Sequence, residues 1–194
     1  MIHATGIILA GGKSSRMGED KGLVLLNGKP MVQYIIEALK EVVSDIIIIS
    51  NNESYTKFGI PVYADIIKDK GPVGGIYTGL YNSTTELNFC ISCDVPMISS
   101  DFILWLLKRS GKSYITIPMY KDKVHQMIGV YSKQVLSNFK ESTEKGHLKL
   151  SQVNSDMACE IIDIEKEYAN FDELIFSNIN TKNELRSITN ESKH

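Results

Sequence analysis

Cysteine is scarce in this 194-residue chain: only Cys90, Cys93 and Cys159 are present. An odd, sparse set excludes a disulfide scaffold and suits a reducing compartment better than a secreted one. Long apolar runs are also missing. Ile46–Ile49 is typical of what occurs, far short of the roughly 20 residues that a membrane span needs. Charge of one sign is lacking too, with 21 Lys and Arg against 23 Asp and Glu and a formal net charge of −2. No global basic field is available to hold nucleic acid or an anionic membrane, although a local basic pocket for a small anion remains open. The first residues, Met1-Ile2-His3-Ala4-Thr5, carry no basic stretch, and the apolar segment after them is too short for a signal peptide. Asn-x-Ser/Thr matches at Asn52, Asn82 and Asn190 therefore carry little weight. The expectation is a soluble cytoplasmic protein with neither nucleic-acid nor membrane partners.

What is there reads as globular: 43% hydrophobic and 23% charged side chains lie near the average. Gly6–Ala10 is a short apolar run stopped by Gly11-Gly12, which predicts a buried strand. Leu23–Leu26 followed by Asn27-Gly28 predicts a short strand and tight turn. Pro30 can start a helix, and Met31, Val32, Ile35, Ile36, Leu39, Val42 and Val43 recur at helical spacing. Strands are expected at Asp45–Ser50, Pro61–Asp65 and Phe89–Cys93, with a helix from Gly71-Pro72 through Ile76 and Leu80 between the last two.

Ser99 or Ser100 caps a helix carrying Phe102, Ile103, Trp105, Leu106 and Leu107. Tyr114–Pro118 and Val124–Tyr131 read as two strands joined by a polar turn at Lys121-Asp122-Lys123. Helical segments are expected around Lys133–Lys140 and His147–Val153, a strand at Glu160–Ile164 and a last helix near Thr181, with a polar tail from Ser187. Strands apolar on both faces, alternating with helices, predict a three-layer α/β/α Rossmann-like fold with a mostly parallel central sheet. Such sheets bind ligands at the carboxyl ends of their strands. Gly11-Gly12, Asp65 and Asp94 all sit where an apolar strand gives way to a loop, so they can converge on one edge.

The most informative stretch is Leu9-Ala10-Gly11-Gly12-Lys13-Ser14-Ser15-Arg16-Met17-Gly18-Glu19-Asp20-Lys21. Adjacent glycines after a buried strand let backbone N–H groups approach an anion closely. Arg16 and Lys21 add positive charge, so a polyanionic phosphate ester is the natural ligand; the bland alternative is a solvated turn. Gly12-Lys13-Ser14 supplies the end of a P-loop, but the required first glycine falls on Ile7, inside the strand. Gly6 is one residue out of register, and the Rossmann glycine spacing fails as well.

The loop L-A-G-G-x-S-x-R-M-G-x-D-K resembles the signature of the molybdenum cofactor guanylyltransferases, within the superfamily of nucleotidyltransferases that make nucleotide sugars. Sister families show L-A-A-G-x-G-x-R-M-G and a Pro before the Lys, in place of which this chain has Leu9-Ala10-Gly11-Gly12 and Asp20. Gly71-Pro72-Val73-Gly74-Gly75-Ile76 is similar to the family's G-P-L-A-G segment, Cys93-Asp94-Val95-Pro96 to its C-D-x-P, and Asn178-Ile179-Asn180-Thr181 to its N-[VI]-N-T. The four motifs run in the family's order over nearly the whole chain. The family also carries an Asn near the end of its second strand; Asn51 and Asn52 lie nearby, with Ile49 or Ser50 as the other registers.

The resemblance implies one nucleotidyltransferase domain over residues 1–187, with a nucleotide-binding half at about 1–96, a pterin-side half at about 97–187 and a polar tail at 188–194. It implies GMP transfer from GTP to the terminal phosphate of molybdopterin, giving the guanine dinucleotide cofactor and pyrophosphate. A phosphate monoester is largely a dianion at neutral pH, so no side-chain base is needed to create the nucleophile. Positioning and electrostatics remain as the site's task.

On this reading Gly11 and Gly12 cradle phosphates while Leu9 and Ala10 line the nucleotide. Arg16 and Lys21 neutralise the triphosphate and the leaving group, and Asp94 holds Mg²⁺, with Mn²⁺ as a substitute. Asp65 contacts GTP, with base or ribose left open. Pro72, Gly74 and Gly75 let the backbone pass the guanine edge, and Asn178 and Asn180 orient the metal or the pterin. Proteins of the same pathway that hand over the pterin or accept the finished cofactor are the implied partners.

Other readings stay open at several of these positions. Asp94 could serve only as a cap before Pro96, and Asp65 as a strand-end turn former. Cys90-Ile91-Ser92-Cys93 spells C-x-x-C, but within a strand, which suits buried apolar thiols better than a redox pair or zinc site. His125 falls where the family carries a His on its pterin-side strand, and it serves equally as a structural histidine. His147, Lys145 and Lys149 read as a solvated face or as a basic rim for the pterin phosphate. Rival functions are a sister cytidylyltransferase for molybdopterin, a transferase acting on a sugar or polyol phosphate, and a non-catalytic GTP-binding accessory protein. A GTPase switch is disfavoured by the missing P-loop glycine.

Overall fold

The computed structural model describes residues 1–11, 20–169, 171–177 and 179. In chain order the strands are β1 (Ile2–Leu9), β2 (Leu25–Leu26), β3 (Lys29–Pro30), β4 (Val43–Ile49), β5 (Val62–Tyr63), β6 (Leu87–Ser92), β7 (Ile115–Tyr120), β8 (Lys123–Val124), β9 (Ile128–Ser132) and β10 (Cys159–Asp163). The α-helices are α1 (Met31–Lys40), α2 (Gly71–Asn82), α3 (Ser100–Arg109), α4 (Leu136–Lys145), α5 (Leu150–Ser155) and α6 (Ile164–Glu167). Short 3-10 turns at Lys21–Leu23 and Glu53–Phe58 border the site described below.

Eight strands form one sheet in the order β10-β7-β9-β6-β1-β4-β5, with β8 added to β7, while β2 and β3 make a separate hairpin. β1 runs parallel to both β4 and β6, its carboxyl end opposite Ile49 on one side and Ser92 on the other. β4 with β5 and β7 with β10 are also parallel. β9 runs antiparallel between β6 and β7.

The alternation of side chains along β1 builds the two outer layers. Ile8 joins Ile48 and Phe89 in a core with Val32, Ile35 and Leu39 of α1 and Phe102 and Leu106 of α3. Ile7 and Leu9 face the other way, into a core with Ile76 and Leu80 of α2 and Phe139 of α4. Every one of these side chains is 5% exposed or less, which is why the central strands read as unbroken apolar runs rather than alternating ones. Gly79 sets the spacing of α2 on the sheet, because a Cβ there would meet Ile7 Cγ2 at 2.5 Å.

Expected and observed elements differ where tertiary pairing decides. The strand expected over Val124–Tyr131 is broken: His125 N–H bonds Pro118 O at 2.9 Å and Ile128 N–H bonds His125 O at 3.0 Å. That turn sends Lys123–Val124 back along β7 and leaves Ile128–Ser132 free to slot between β6 and β7. The helix expected through Val43 stops at Lys40, since Val43 already belongs to β4. Asn27 and Gly28 form the expected turn with φ of 50° and 81°. Ser99, rather than Ser100, caps α3 by accepting from Phe102 N–H at 3.2 Å. The helix expected near Thr181 and the tail from Ser187 lie outside the described residues.

Candidate active site

The carboxyl ends of β1, β4, β5 and β6 share one edge, as the parallel register requires. Leu9, Ala10 and Gly11 leave β1 there. Ala10 N–H bonds Ile49 O at 2.9 Å, and Ala10 O accepts from Ser50 Oγ at 2.8 Å. Gly12 and Arg16 lie outside the described residues. The chain is described again from Asp20, which precedes the Lys21–Leu23 turn. Lys21 Nζ is 3.4 Å from Asp94 Oδ2, and both side chains are largely shielded, at 28% and 13% exposed. So two residues far apart in sequence, one from the glycine loop and one from the end of β6, form a single ion pair at the strand ends.

Asp94 is held by its backbone as well as its charge. Cys93 N–H bonds Leu9 O at 3.1 Å, and Ile179 N–H bonds Asp94 O at 2.9 Å. Ile179 is fully buried, so the residue between Asn178 and Asn180 is anchored beside Asp94, while the two asparagines lie outside the described residues. Asp94 Oδ1 is buried and has no hydrogen-bond partner among the described residues. A buried carboxylate oxygen left unsatisfied is costly, and a hard divalent cation is a ligand that would satisfy it. No group of three or more His, Cys, Asp or Glu forms a metal cage among the described residues. The Asp94 carboxylate with its free oxygen fits Mg²⁺, which keeps several waters and binds through one or two carboxylates and the phosphates of a substrate.

Farther along the edge, Asn51 clasps Asp65. Its Nδ2 donates to Asp65 Oδ2 at 2.9 Å, and its Oδ1 accepts from Asp65 N–H at 3.2 Å. Burial pushes the Asp65 carboxyl above the usual carboxylate range, opposed by the Asn51 hydrogen bond and assisted by the nearby Asp69. The cleft between these groups has a volume of about 790 Å³ and is lined by Leu9, Ala10, Gly11, Lys21, Asp65, Pro72, Gly75 and Asp94. This lies within the range of small-molecule sites, and its lining carries Lys21 together with the carboxylates of Asp20, Asp65, Asp69 and Asp94.

Most of the residues singled out from sequence thus share one cavity, but Gly74 does not line it. It is buried against the segment that precedes α2, where a Cβ would meet Lys70 Cβ at 2.7 Å, and it is Gly75 that faces Leu9. Sequence reasoning assigned no role to Asp20, Gly22, Ser50, Tyr55, Asp69 or Met127. Of these, Asp20 stands inside the glycine motif, Ser50 is one of the registers open for the second-strand asparagine beside Asn51 and Asn52, and the rest carry no signal in the sequence.

The cysteines are free and behave as core residues. Cys90 and Cys93 pack on opposite faces of the sheet, and burial pushes the Cys93 thiol up to about 12. Lys145, His147 and Lys149 are exposed. His125 is 9% exposed, its Nε2 without a hydrogen-bond partner among the described residues and its ring centroid 4.4 Å from that of Phe176. Burial, with the charge of Lys123, pushes its pKa down to about 4. A depressed histidine stays neutral in the native state while the unfolded chain protonates, so its contribution is full above about pH 6.5 and is lost as pH falls toward 4. Urea unfolding should show wild type losing about 2 kcal/mol more than His125→Gln between pH 7 and pH 5. Equal losses would contradict a neutral buried ring.

The sequence profile of the MobA-like NTP transferase domain matches residues 6–157. A probable molybdenum cofactor guanylyltransferase of Flavobacterium johnsoniae is 38% identical over 189 residues, covering 97% of either chain. A solved structure of a putative protein from Aquifex aeolicus is 29% identical, with a TM-score of 0.77 over 92% of this chain and 94% of that one. The molybdopterin-guanine dinucleotide biosynthesis protein A of Archaeoglobus fulgidus is 18% identical with a TM-score of 0.83 over 97% of this chain and 98% of that one, a likeness of fold.

Proposed function

Because the chain belongs to the MobA-like NTP transferase family, we propose that it transfers GMP from GTP to the terminal phosphate of molybdopterin. An oxygen of the pterin phosphate attacks the α-phosphorus of GTP, the bond from that phosphorus to the β-phosphate oxygen breaks, and pyrophosphate leaves with the electron pair. The observation that carries the reading is the Lys21–Asp94 pair at the strand ends, in a cleft of nucleotide size that Gly11 also lines.

The site's own residues supply placement and charge. Gly11 has only Asp65 Oδ2 near the place of a Cβ, at 3.9 Å, so the backbone here is open to a phosphate. The Lys21 ammonium balances the negative charge that collects on the departing pyrophosphate, and Arg16 does the same from the loop. Asn51 and Asp65 orient the nucleoside, with Pro72 and Gly75 walling its far side. Asp94 would hold Mg²⁺, aided by Asn178 and Asn180; when bound, the ion neutralises phosphate charge and acts as a Lewis acid. No side chain has to remove a proton, since the attacking phosphate is already ionised.

Three free cysteines suit a reducing compartment, and we infer a cytoplasmic reaction. No helix among the described residues is long and apolar enough to cross a membrane.

The test is a panel of four nucleoside triphosphates with molybdopterin and Mg²⁺. GTP is expected to release pyrophosphate and form the dinucleotide at least tenfold faster than CTP, ATP or UTP. Equal or faster turnover of CTP would make the chain a cytidylyltransferase of the same family. Tight GTP binding without any product would make it an accessory protein.

A further inference from the structure

We propose that Tyr55 is a positioning residue for Lys21: with Asn52 it clamps Asp20 and thereby fixes the Lys21–Leu23 turn against Asp94. The inference rests on the reading of Lys21 given above.

Asp20 occupies the N-cap position of the Lys21–Leu23 turn, yet its side chain makes no capping bond. An aspartate there ordinarily accepts from the N–H groups of the turn it precedes. Instead both carboxylate oxygens reach across to the Glu53–Phe58 turn. Oδ1 accepts from the Tyr55 hydroxyl, and Oδ2 accepts from Asn52 Nδ2 at 3.0 Å. Local capping has been given up for a long-range tie. An ionised acceptor makes these bonds stronger than neutral ones.

Both partners are themselves fixed. Tyr55 is fully buried, its ring in the same core as Ile48 and Cys93, so its hydroxyl is delivered to Asp20 by packing rather than by a mobile stem. Burial above all, with the adjacent thiol and carboxylate, keeps the phenol protonated and therefore a donor. Asn52 accepts from Ser54 N–H at 3.0 Å and donates its own N–H to Ser50 Oγ at 3.1 Å. Ser50 Oγ in turn donates to Ala10 O at 2.8 Å. Ala10 and Asp20, on either side of the glycine-rich segment, are thus both tied to the end of β4.

The turn has no slack toward the sheet. Gly22 packs so closely that a Cβ would meet the Tyr55 hydroxyl and would lie 3.1 Å from Cys93 Cβ. Lys21 is therefore set between a clamped residue before it and a hemmed glycine after it, with Asp94 next to Cys93. Removing the Tyr55 hydroxyl leaves the ring packing intact but loosens one side of that setting. Misplacing a group that acts on developing charge costs rate more than substrate affinity.

The experiment compares wild type, Tyr55→Phe, Lys21→Ala and the double variant with GTP, molybdopterin and Mg²⁺. Tyr55→Phe is expected to melt within about 4 °C of wild type, the scale of one lost hydrogen bond. Its kcat should fall about tenfold while KM for GTP moves less than twofold. In the Lys21→Ala background the same change should cost less than twofold, because a residue acting through Lys21 has nothing left to position. A structural role would instead repeat the tenfold loss there. Either that repetition or a Tyr55→Phe kcat within twofold of wild type overturns the inference while leaving the assigned reaction standing. A wild type that forms no dinucleotide overturns the assigned reaction, and the inference with it.

Discussion

Asp94→Asn is expected to lower the rate of GMP transfer by at least a thousandfold, a barrier increase of about 4 kcal/mol. The substitution keeps the size and planarity of the side chain, and the backbone bonds Cys93 N–H to Leu9 O and Ile179 N–H to Asp94 O do not depend on the carboxylate. What it removes is a full negative charge 3.4 Å from Lys21 Nζ, and with it the charge that makes the unpartnered oxygen a ligand for a cation. Single-turnover release of pyrophosphate measures the loss. GTP binding in metal-free buffer should survive or tighten, since the substitution removes a negative charge from the place where the triphosphate enters. A variant active to within tenfold of wild type would move the metal site elsewhere.

Lys21→Ala should cost between about a hundredfold and a thousandfold in kcat/KM, or roughly 3–4 kcal/mol. The ammonium is largely shielded, with its side chain 28% exposed, so its charge acts in a medium less screening than water. Its removal also leaves Asp94 as an uncompensated anion where a triphosphate must enter, which adds to the penalty on binding. Both kcat and KM are therefore expected to suffer, unlike the kcat-only loss predicted for Tyr55→Phe. Initial rates over a range of GTP concentrations separate the two patterns. Unchanged kcat with a raised KM would confine Lys21 to substrate binding.

The parts of the fold that were legible in the sequence are those where one local signal has one tertiary meaning. Ile7–Leu9 and Ile46–Ile49 are apolar on both faces because helices cover both faces of the sheet. Gly11 and Asp94 were legible because each ends such a run. The break at His125–Met127 was not, for Val124–Tyr131 has the residue types of one strand. Only the pairing of β8 with β7, and of β9 with both β6 and β7, decides where it bends.

Gly74 and Gly75 are adjacent and chemically identical, so the rotational phase of α2 alone determines that Gly75 faces the cleft. Tyr55 sits in Asn51-Asn52-Glu53-Ser54-Tyr55-Thr56-Lys57, a polar stretch without helical or strand periodicity. Nothing local in it marks a fully buried phenol bound to a carboxylate 35 residues earlier. The same holds for Asn51 and Asn52, whose partners, Asp65 and Asp20, come from different loops.

On the proposed function, one nucleoside triphosphate is gripped between Gly11, Lys21 and Asp94. A crystal structure with GTP and Mn²⁺, read from the anomalous signal of manganese, tests it most directly. The manganese peak is expected on an Asp94 oxygen, the phosphates against Gly11 and Lys21, and the nucleoside toward Asn51 and Asp65. A manganese peak remote from Asp94, or phosphates seated outside the Lys21–Asp94 cleft, would contradict it.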